Sequence, residues 1–424
     1  MNDPYVSVIG LGYIGLPTAA ILASRGQRVL GVDVNEHAIE TINSGKIHIV
    51  EPGLENMVSD AVTAGLLSAS TLTEPSDVFI IAVPPPFHLE DGADGVPKPD
   101  LSYIKAASEG IAAVLKKGDL VILESTSPVG TTELLVAWMA ERRKDLTFPH
   151  THGANSDIRV AYCPERVIPG QVVRELVEND RVIGGMSDAC SKAASDFYKI
   201  FVKGDCAVTS SRTAEMAKLT ENAFRDVNIA FANELSLICD NLDIRVWELI
   251  ELANLHPRVN ILQPGPGVGG HCIAVDPWFI VSQNPAESRM IHKARVVNDS
   301  KPSWVVSKVI SAIDTLVEQG IKKDHESVSI AFFGLAFKAD VDDLRGSPAI
   351  QIVETILQME KYGILAVEPN ITALPANLVG VQLVTTSEAL LRADVLVLLV
   401  DHSEFKSVKP PESLAIVDTR GVWI

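Results

Sequence analysis

Apolar runs alternate with amphipathic or alanine-rich stretches from the N-terminus to about residue 200. The apolar runs predict β-strands at residues 6–9, 28–32, 78–83, 120–124, 160–163 and 182–184. The stretches between them include predicted helices at 16–25, 103–115 and 131–142. Strands and helices in alternation indicate a parallel sheet with helices on both faces. Turn-forming and polar residues predict loops at 84–99 and 149–157.

The pattern changes to a helical one at about residue 211. Helices are predicted at 213–240, 246–255 and 285–316, with a Gly- and Pro-rich segment before the last of them. Alternation then returns, with strands predicted at 328–333, 364–367, 381–384, 395–400 and 415–418 and a helix at 348–361. We therefore expect an α/β protein in which two doubly wound domains are joined by a central helical region. The expected boundaries are 1–205, 206–310 and 311–424.

Charge and cysteine content narrow the class of protein. The formal net charge of −18 argues against a nucleic-acid partner, which needs a basic face, but it allows a small anionic ligand. The densest apolar run, 395–400, is too short to span a bilayer, and no signal-type segment opens the chain, so we expect no membrane insertion. Five cysteines without metal-type spacing favour reduced thiols, no metal site and a cytoplasmic location.

A glycine motif follows the first predicted strand and opens a helix. Gly10 permits a tight turn, Gly12 lets the backbone approach a pyrophosphate, and Gly15 allows close packing of helix on strand. Asp33 ends the second predicted strand, where a carboxylate accepts hydrogen bonds from an adenosine ribose and repels a 2′-phosphate. These features predict a Rossmann-like domain that binds NAD rather than NADP. A glycine-rich turn that merely starts a tightly packed helix is the alternative.

The segment 263–277 is the most unusual in the chain. Gly and Pro fill all but one position from 264 to 270, which predicts an irregular loop that presents Cys272 and Asp276. A thiolate in such a loop is able to attack a carbonyl carbon. On its own residue type, Cys272 is equally compatible with a small buried apolar side chain.

Motifs along the whole chain resemble those of the UDP-glucose/GDP-mannose dehydrogenase family. They are the segments 124–130, 163–166, 215–222, 269–272 with Asp276, 333–338, 343–345 and 418–420. The stretch from 256–260 through 276–279 is most similar to the branch that oxidises UDP-N-acetylmannosamine for bacterial surface polysaccharides. The resemblance implies NAD-dependent, four-electron oxidation of the sugar C6 alcohol to a carboxylate. UDP-N-acetylglucosamine and UDP-glucose remain alternative substrates.

The resemblance also implies a two-step mechanism with named residues. Two hydrides leave the substrate, so two NAD molecules act in turn, while Cys272 holds the aldehyde as a thiohemiacetal that becomes a thioester. Lys218 stabilises oxyanion charge, Asn222 holds a water or oxygen, and Asp276 or Glu165 activates the hydrolytic water. The expected catalytic residues are Cys272, Lys218, Asn222, Asp276, Glu165 and Thr126.

Binding residues follow from the same resemblance. NAD contacts are expected from Gly10, Gly12, Tyr13, Ile14, Gly15, Asp33, Pro84 and Thr126. UDP-sugar contacts are expected from Glu165, Arg166, Lys218, Asn222, Arg258, Gly269, Lys338, Arg345 and Arg420. Because the family often lends the residue at Arg258 across a dimer interface, we expect a homodimer or a higher homo-oligomer.

Several of these residues have ordinary structural alternatives. Lys218, Asn222 and Thr126 fit a helix surface and a strand end, and Asp276 before Pro277 fits a turn. Glu165 fits a helix cap or an ion pair with Arg166, and the carboxylates at 340, 342 and 343 are possible partners of Lys338 and Arg345.

The sequence departs from the family pattern in two loops. Pro85 replaces a more usual Thr, which removes a hydroxyl that would contact the cofactor. Glu368 replaces an Asp, with little expected consequence, and Gly334 alone in its turn argues against a second NAD site. Two other functions stay open: one-step oxidation of a small hydroxy acid, which needs no nucleophilic Cys272, and a non-catalytic NAD-binding protein.

Overall fold

The chain folds into two compact units. The computed structural model describes residues 4–85, 87–88, 96–168 and 170–423. The first unit comprises Met1–Glu221 and Trp278–Gln283, and the second comprises Asn222–Pro277 and Asn284–Ile424. Half of the loop expected at 84–99, comprising Pro86 and residues 89–95, lies outside the described residues.

Strands and helices alternate along the first unit. Its strands are β1 (Tyr5–Ile9), β2 (Arg28–Val32), β3 (Leu67–Ser70), β4 (Val78–Ile81), β5 (Phe87–His88), β6 (Lys98–Pro99), β7 (Leu120–Leu123), β8 (Arg159–Tyr162), β9 (Arg181–Gly185) and β10 (Cys206–Ser210). Its helices are α1 (Gly15–Ser24), α2 (Glu36–Asn43), α3 (Leu54–Thr63), α4 (Ser102–Val114), α5 (Thr131–Arg142), α6 (Pro149–His152), α7 (Val172–Glu178) and α8 (Asp188–Tyr198).

Eight of these strands form one sheet in the order β10-β9-β8-β7-β4-β1-β2-β3. The central strands are buried along their length, as in Val78–Ile81 and Leu120–Leu123, because helices cover both faces of the sheet. The chain order reverses between β1 and β4. A doubly wound sheet binds its ligand outside the carboxyl ends of the strands at such a point.

The second unit contains its own parallel sheet, ordered β13-β12-β11-β14-β15. These strands are β11 (Ser329–Phe333), β12 (Gly363–Val367), β13 (Gln382–Leu383), β14 (Val395–Leu398) and β15 (Ala415–Asp418). The remaining helices of the chain are α9 (Ser211–Asn241), α10 (Val246–Ala253), α11 (Asp276–Gln283), α12 (Arg289–Glu318), α13 (Pro348–Leu357) and α14 (Thr386–Arg392). The unit boundary falls within α9 and again within α11. The α/β fold with two Rossmann-like sheets and a helical centre is confirmed.

Buried polar contacts join α9 to α12 in the second unit. Arg295 forms an ion pair with Asp226 at 2.7 Å, and both side chains are almost completely buried. Asn298 donates to the same carboxylate at 2.7 Å, and Lys301 donates to Ser236 at 2.8 Å. Because a buried charge is tolerated only with a partner, these contacts fix how the two long helices pack.

Some sequence-based expectations for the fold are wrong in detail. β9 runs antiparallel to β8, because the connection through α7 turns back against α1 instead of crossing over the sheet. The loop expected at 149–157 contains α6 and a turn of 3-10 helix at Gly153–Asn155. The expected boundaries at residues 205 and 310 stay a prediction; β10 pairs with β9 across the first of them, and α12 runs from Arg289 to Glu318.

Within the part of the chain that the structure describes, no helix combines the length and the apolar character needed to cross a membrane.

Candidate active site

The glycine turn after β1 has the geometry that a dinucleotide needs. Gly10 has φ +92°, and a side chain on Gly15 would lie 1.8 Å from the Gly10 carbonyl oxygen, so both positions require glycine. A side chain on Gly12 would meet nothing within 4 Å. The backbone at Gly12 therefore borders open space. Ile14 precedes α1 as its N-cap residue, and no side chain caps the first amides of the helix. Such uncapped amides favour an anion.

Asp33 joins the end of β2 to this turn. Its carboxylate accepts the Leu11 N–H at 2.7 Å and the Asn35 N–H at 2.9 Å. A carboxylate has about four acceptor positions, so these two bonds orient it and leave capacity for ribose hydroxyls. Tyr13 is partly buried beside the turn, and Pro84 is exposed just beyond β4. The described residues of the first unit therefore fit an adenosine diphosphate group.

Glu165 lies in a buried cluster of charged groups after β8. Its Oε2 atom pairs with Arg181 at 2.6 Å, and its Oε1 atom accepts the Arg166 N–H at 2.6 Å. The Arg181 guanidinium also lies over the Tyr198 ring at 5.0 Å. The Arg166 side chain pairs with Glu221 at 2.8 Å and is exposed. Arg181 is the partner that the sequence analysis did not identify.

A second carboxylate shares this cluster. Glu124 follows β7 and is 2 % exposed, and its Oε1 atom accepts the Tyr198 hydroxyl at 2.7 Å. Burial raises the pKa of Glu124 to about 7, with Arg181 opposing the shift and Glu165 adding to it. Burial likewise raises the pKa of the neighbouring Cys163 thiol to about 12. Thr126 lies two residues beyond Glu124 and is partly buried.

Glu51 is another functional candidate that the sequence analysis missed. Its carboxylate accepts the Gly170 N–H at 2.9 Å and the Val172 N–H at 2.8 Å. It therefore caps α7 and orders the segment that follows Glu165. The sequence signal for this role is the position of Glu51 before Pro52 and Gly53. An acidic residue in such a turn often caps a helix from another part of the chain.

Lys218 lies on α9 and is partly buried. One turn earlier on this helix, Glu215 accepts the Gly130 N–H at 2.6 Å and both the N–H and the hydroxyl of Thr132, at 2.8 and 2.6 Å. The helix is thereby joined to the start of α5. This contact fixes the segment that carries Lys218.

Cys272 lies in an irregular segment that leads into α11. Its carbonyl oxygen accepts the Asp276 N–H at 2.8 Å, which places the thiol one turn before the first residue of the helix. Asp276 is 3 % exposed, and its carboxylate accepts a hydrogen bond from the Asn222 amide. The five cysteines form no disulfide among the described residues, and Cys272 is the exposed one.

Glycines let the loop before Cys272 pack tightly against the second sheet domain. A side chain on Gly269 would lie 2.6 Å from the Gly346 carbonyl oxygen, and one on Gly270 would lie 3.1 Å from Phe337. A side chain on Gly265 would lie 2.4 Å from the Arg420 guanidinium. The second unit thus brings the thiol loop next to the segments that carry Lys338, Arg345 and Arg420.

The basic residues proposed for substrate differ in their surroundings. Lys338 and Arg258 are exposed. Arg345 makes two hydrogen bonds to Asp343, at 2.8 and 2.7 Å, and Arg420 pairs with Asp401 at 2.6 Å. Both arginines are therefore held in place by a carboxylate on their own unit.

The turn after β11 repeats the carboxylate contact of the first sheet. Glu368, at the end of β12, accepts the Leu335 N–H at 2.7 Å and the Ala336 N–H at 3.1 Å. The buried His402 ring lies 3.0 Å from the same oxygen. The space beside Glu368, which corresponds to the proposed ribose position beside Asp33, is thus filled by the His402 side chain.

The described part of the chain contains no group of three or more His, Cys, Asp or Glu side chains that could hold a metal ion.

Comparison with known proteins gives a family match along the chain. The models of the UDP-glucose/GDP-mannose dehydrogenase family match at residues 5–202 for the NAD binding domain, 212–300 for the central domain and 331–424 for the UDP binding domain.

Individual relatives are similar over their full length. The UDP-N-acetyl-D-mannosamine dehydrogenase of Yersinia pestis is 61% identical, with 100% of both chains covered. The NDP-N-acetyl-D-galactosaminuronic acid dehydrogenase of Ralstonia solanacearum is 60% identical, covering 99% of this chain and 96% of its own. The solved UDP-D-ManNAc dehydrogenase of Pyrococcus horikoshii has a TM-score of 0.87 at 38% identity, covering 99% of this chain and 96% of its own.

Two glycine substitutions should separate cofactor binding from folding. Gly12→Ala adds a methyl group where the protein leaves space, so its melting temperature should stay near wild type while its Kd for NAD rises about tenfold or more. Gly15→Ala forces a clash with the Gly10 carbonyl and should lower stability by about 2 kcal/mol. Calorimetry with NADH and thermal melts measure both effects. Wild-type affinity in Gly12→Ala would contradict the assignment.

Glu124 should make the stability of the protein depend on pH. The pKa of Glu124 in the folded state is about 7, above the ordinary value of 4.5. The contribution of this side chain to the stability of the fold is therefore fully present below pH 4.5 and is lost as the pH rises through 7. Glu124→Gln keeps an acceptor for Tyr198 and removes this loss. Between pH 4.5 and pH 7, the free energy of unfolding of the variant should rise relative to that of wild type by on the order of 2 kcal/mol. Urea unfolding at a series of pH values measures this difference. A constant difference across that range would refute the role of Glu124.

Proposed function

Because the chain belongs to the UDP-glucose/GDP-mannose dehydrogenase family, and is therefore an NAD-dependent dehydrogenase, we propose that it oxidises UDP-N-acetyl-D-mannosamine at C6 to the uronate. The Yersinia pestis relative carries this activity in its name and aligns with the whole chain. The similar identity of the Ralstonia solanacearum protein makes a UDP-N-acetylgalactosamine-type substrate the second candidate. The two sugars differ in the orientation of ring substituents, which a few pocket contacts distinguish.

The exposed thiol of Cys272 is the observation that carries the two-step mechanism. The other four cysteines are buried or partly buried, whereas Cys272 lies in a loop whose glycines bring its backbone close to Phe337 and Gly346. A one-step dehydrogenase needs no nucleophile. A thiol presented in this way therefore supports oxidation to the level of an acid.

The chemistry follows from the need to retain an aldehyde. When bound, NAD accepts one hydride in each of the two oxidations. Between them, the Cys272 sulfur adds to the aldehyde carbon and forms a thiohemiacetal, whose C–H bond supplies the second hydride and leaves a thioester. Water then adds to the thioester carbon, the C–S bond breaks, the carboxylate product forms and the Cys272 thiol is regenerated.

The other residues expected to be catalytic have matching roles in this proposal. Lys218 stabilises the alkoxide and oxyanion charge. Asp276, to which the Asn222 amide donates, accepts a proton from the hydrolytic water. Glu165 is the second candidate for that proton, although its two oxygens are occupied by Arg181 and the Arg166 N–H. Thr126 contacts both the cofactor and the sugar.

Arginines and lysines of the second unit hold the UDP group. Lys338 and Arg420 bind phosphate oxygens, and Arg345, fixed by Asp343, binds beside them. A pyrophosphate recruits these local cations despite the acidic chain. Arg166 and Gly269 contact the sugar end. The three regions at 1–205, 206–310 and 311–424 then supply the NAD site, the catalytic loop and the UDP site.

A second copy of the chain completes the proposal. Phe224, Phe231 and Ile238 recur every seven residues along α9 and are 70%, 53% and 47% exposed. Such a stripe on one helical face is typical of a surface that a partner covers. We infer a homodimer or a higher homo-oligomer in which Arg258 reaches the partner's sugar. We also infer a cytoplasmic location, which suits five cysteines that form no disulfide among the described residues.

The direct test is to count NADH released per sugar consumed across UDP-N-acetylmannosamine, UDP-N-acetylgalactosamine, UDP-N-acetylglucosamine and UDP-glucose. The proposal predicts two NADH per sugar, with the highest kcat/KM for UDP-N-acetylmannosamine. One NADH per sugar would instead support a one-step dehydrogenase. No NADH with any of the four would reject the proposed function.

A cysteine pair supplies the control for this test. Cys272→Ser should bind the UDP-sugar as wild type does and lose turnover by about a thousandfold, because the serine hydroxyl is a far weaker nucleophile. Cys206→Ser changes a partly buried thiol at the start of β10 and should retain wild-type turnover. Full activity in Cys272→Ser would remove the thioester mechanism.

A further inference from the structure

His402 is a buried side chain that neither the NAD site nor the catalytic loop requires. It follows β14 and is 0% exposed. Its Nε2 atom lies 3.0 Å from Glu368 Oε2, and its Nδ1 atom lies 2.9 Å from the Asp340 backbone nitrogen. The Asn370 amide nitrogen lies 3.1 Å from the same Nδ1 atom.

These contacts fix the tautomer of the ring. The Asp340 N–H is always a donor, so Nδ1 accepts and carries no hydrogen. The hydrogen therefore lies on Nε2, which donates to the Glu368 carboxylate. The imidazole thus connects a carboxylate at the end of β12 to the backbone of the loop after β11.

The loop after β11 is held on both sides of Lys338. Glu368 accepts the N–H groups of Leu335 and Ala336 at the start of the loop, at 2.7 and 3.1 Å. His402 holds the backbone of Asp340 two residues beyond Lys338. The intervening backbone therefore has little freedom, although the Lys338 side chain itself is exposed.

Asp340 reinforces this arrangement. Its φ of +60° is uncommon for a residue with a side chain. Its carboxylate accepts the Ser403 N–H at 2.8 Å and the Ser403 hydroxyl at 2.6 Å. The neighbours His402 and Ser403 thus hold one loop residue by its backbone and by its side chain.

We propose that His402 is a positioning residue for nucleotide binding: by holding the Asp340 backbone, it sets where Lys338 meets the diphosphate of the UDP-sugar. The inference rests on the proposed function in so far as the ligand is a UDP-sugar. A second consequence is that the imidazole occupies the space beside Glu368 where a ribose would lie, which closes this turn to a dinucleotide.

Two isosteric variants separate positioning from core packing. In His402→Asn the side-chain oxygen lies near the former Nδ1 position and still accepts from Asp340. In His402→Gln the side-chain amide lies near the former Nε2 position and still bonds Glu368, but the Asp340 N–H loses its acceptor. Both substitutions remove the aromatic ring, so a role limited to packing would make them alike.

The measurement is the Kd for UDP by calorimetry together with KM and kcat for the UDP-sugar. His402→Gln should raise the Kd for UDP and the KM for the sugar nucleotide about tenfold, the effect of losing one buried hydrogen bond. Its kcat and its KM for NAD should stay within about twofold of wild type, and His402→Asn should stay within about twofold throughout.

Equal effects of the two variants, or a wild-type Kd for UDP in His402→Gln, would overturn the proposal. Should both variants unfold, Ser403→Ala tests the same loop from the surface and should raise the Kd for UDP about two- to threefold; an unchanged Kd would count against the proposal. A wild type that binds UDP but oxidises no UDP-sugar would reject the proposed function, while the UDP titrations would still decide the role of His402.

Discussion

One hydrogen bond recurs at the centre of both sheets: a carboxylate at the end of one strand accepts the backbone N–H of the turn after the neighbouring strand. Asp33 makes it to Leu11, and Glu368 makes it to Leu335. The Gly10 and Gly334 N–H groups still bond Val32 and Val367 on the neighbouring strands, and the next N–H in each turn is the first one beyond the reach of the sheet. The carboxylate supplies a partner for that N–H and fixes the shape of the turn.

The surroundings of this carboxylate give the two domains different uses. Asp33 has only backbone amides as partners in the described hydrogen bonds and is partly exposed, which suits a ribose. Glu368 is buried and bonds the His402 ring. The surroundings of the first turn therefore suit the proposed dinucleotide site, while the second turn is bonded to a buried imidazole and starts the loop that contains Lys338. Local packing around the two carboxylates is sufficient to explain this contrast.

Local patterns were sufficient for much of this structure. Apolar runs predicted the buried strands because helices cover both faces, and the glycine motif predicted the tight turn at Gly10 and the close packing at Gly15 from steric rules alone. The Gly- and Pro-rich segment before Cys272 predicted an irregular loop, and the structure adds the reason for its glycines, which is close contact with Phe337, Gly346 and Arg420.

What the sequence did not reveal are partners distant along the chain. Arg181 begins an apolar strand, yet nothing local says that it pairs with Glu165 or that Glu124 lies beside both. The reversal of β9 depends on where α7 packs, and that too is decided by tertiary contacts. His402 follows an apolar strand, the position from which doubly wound sheets present functional side chains. Its partners Glu368 and Asp340 become evident only when the strands are aligned.

The most direct test of the contrast between the two turns is the stoichiometry of cofactor binding. Calorimetric titration of the full chain with NADH, alone and with saturating UDP, should give one NADH per chain in both cases, because Glu368 and His402 close the second turn. Two NADH per chain, or displacement of NADH by UDP, would contradict the account.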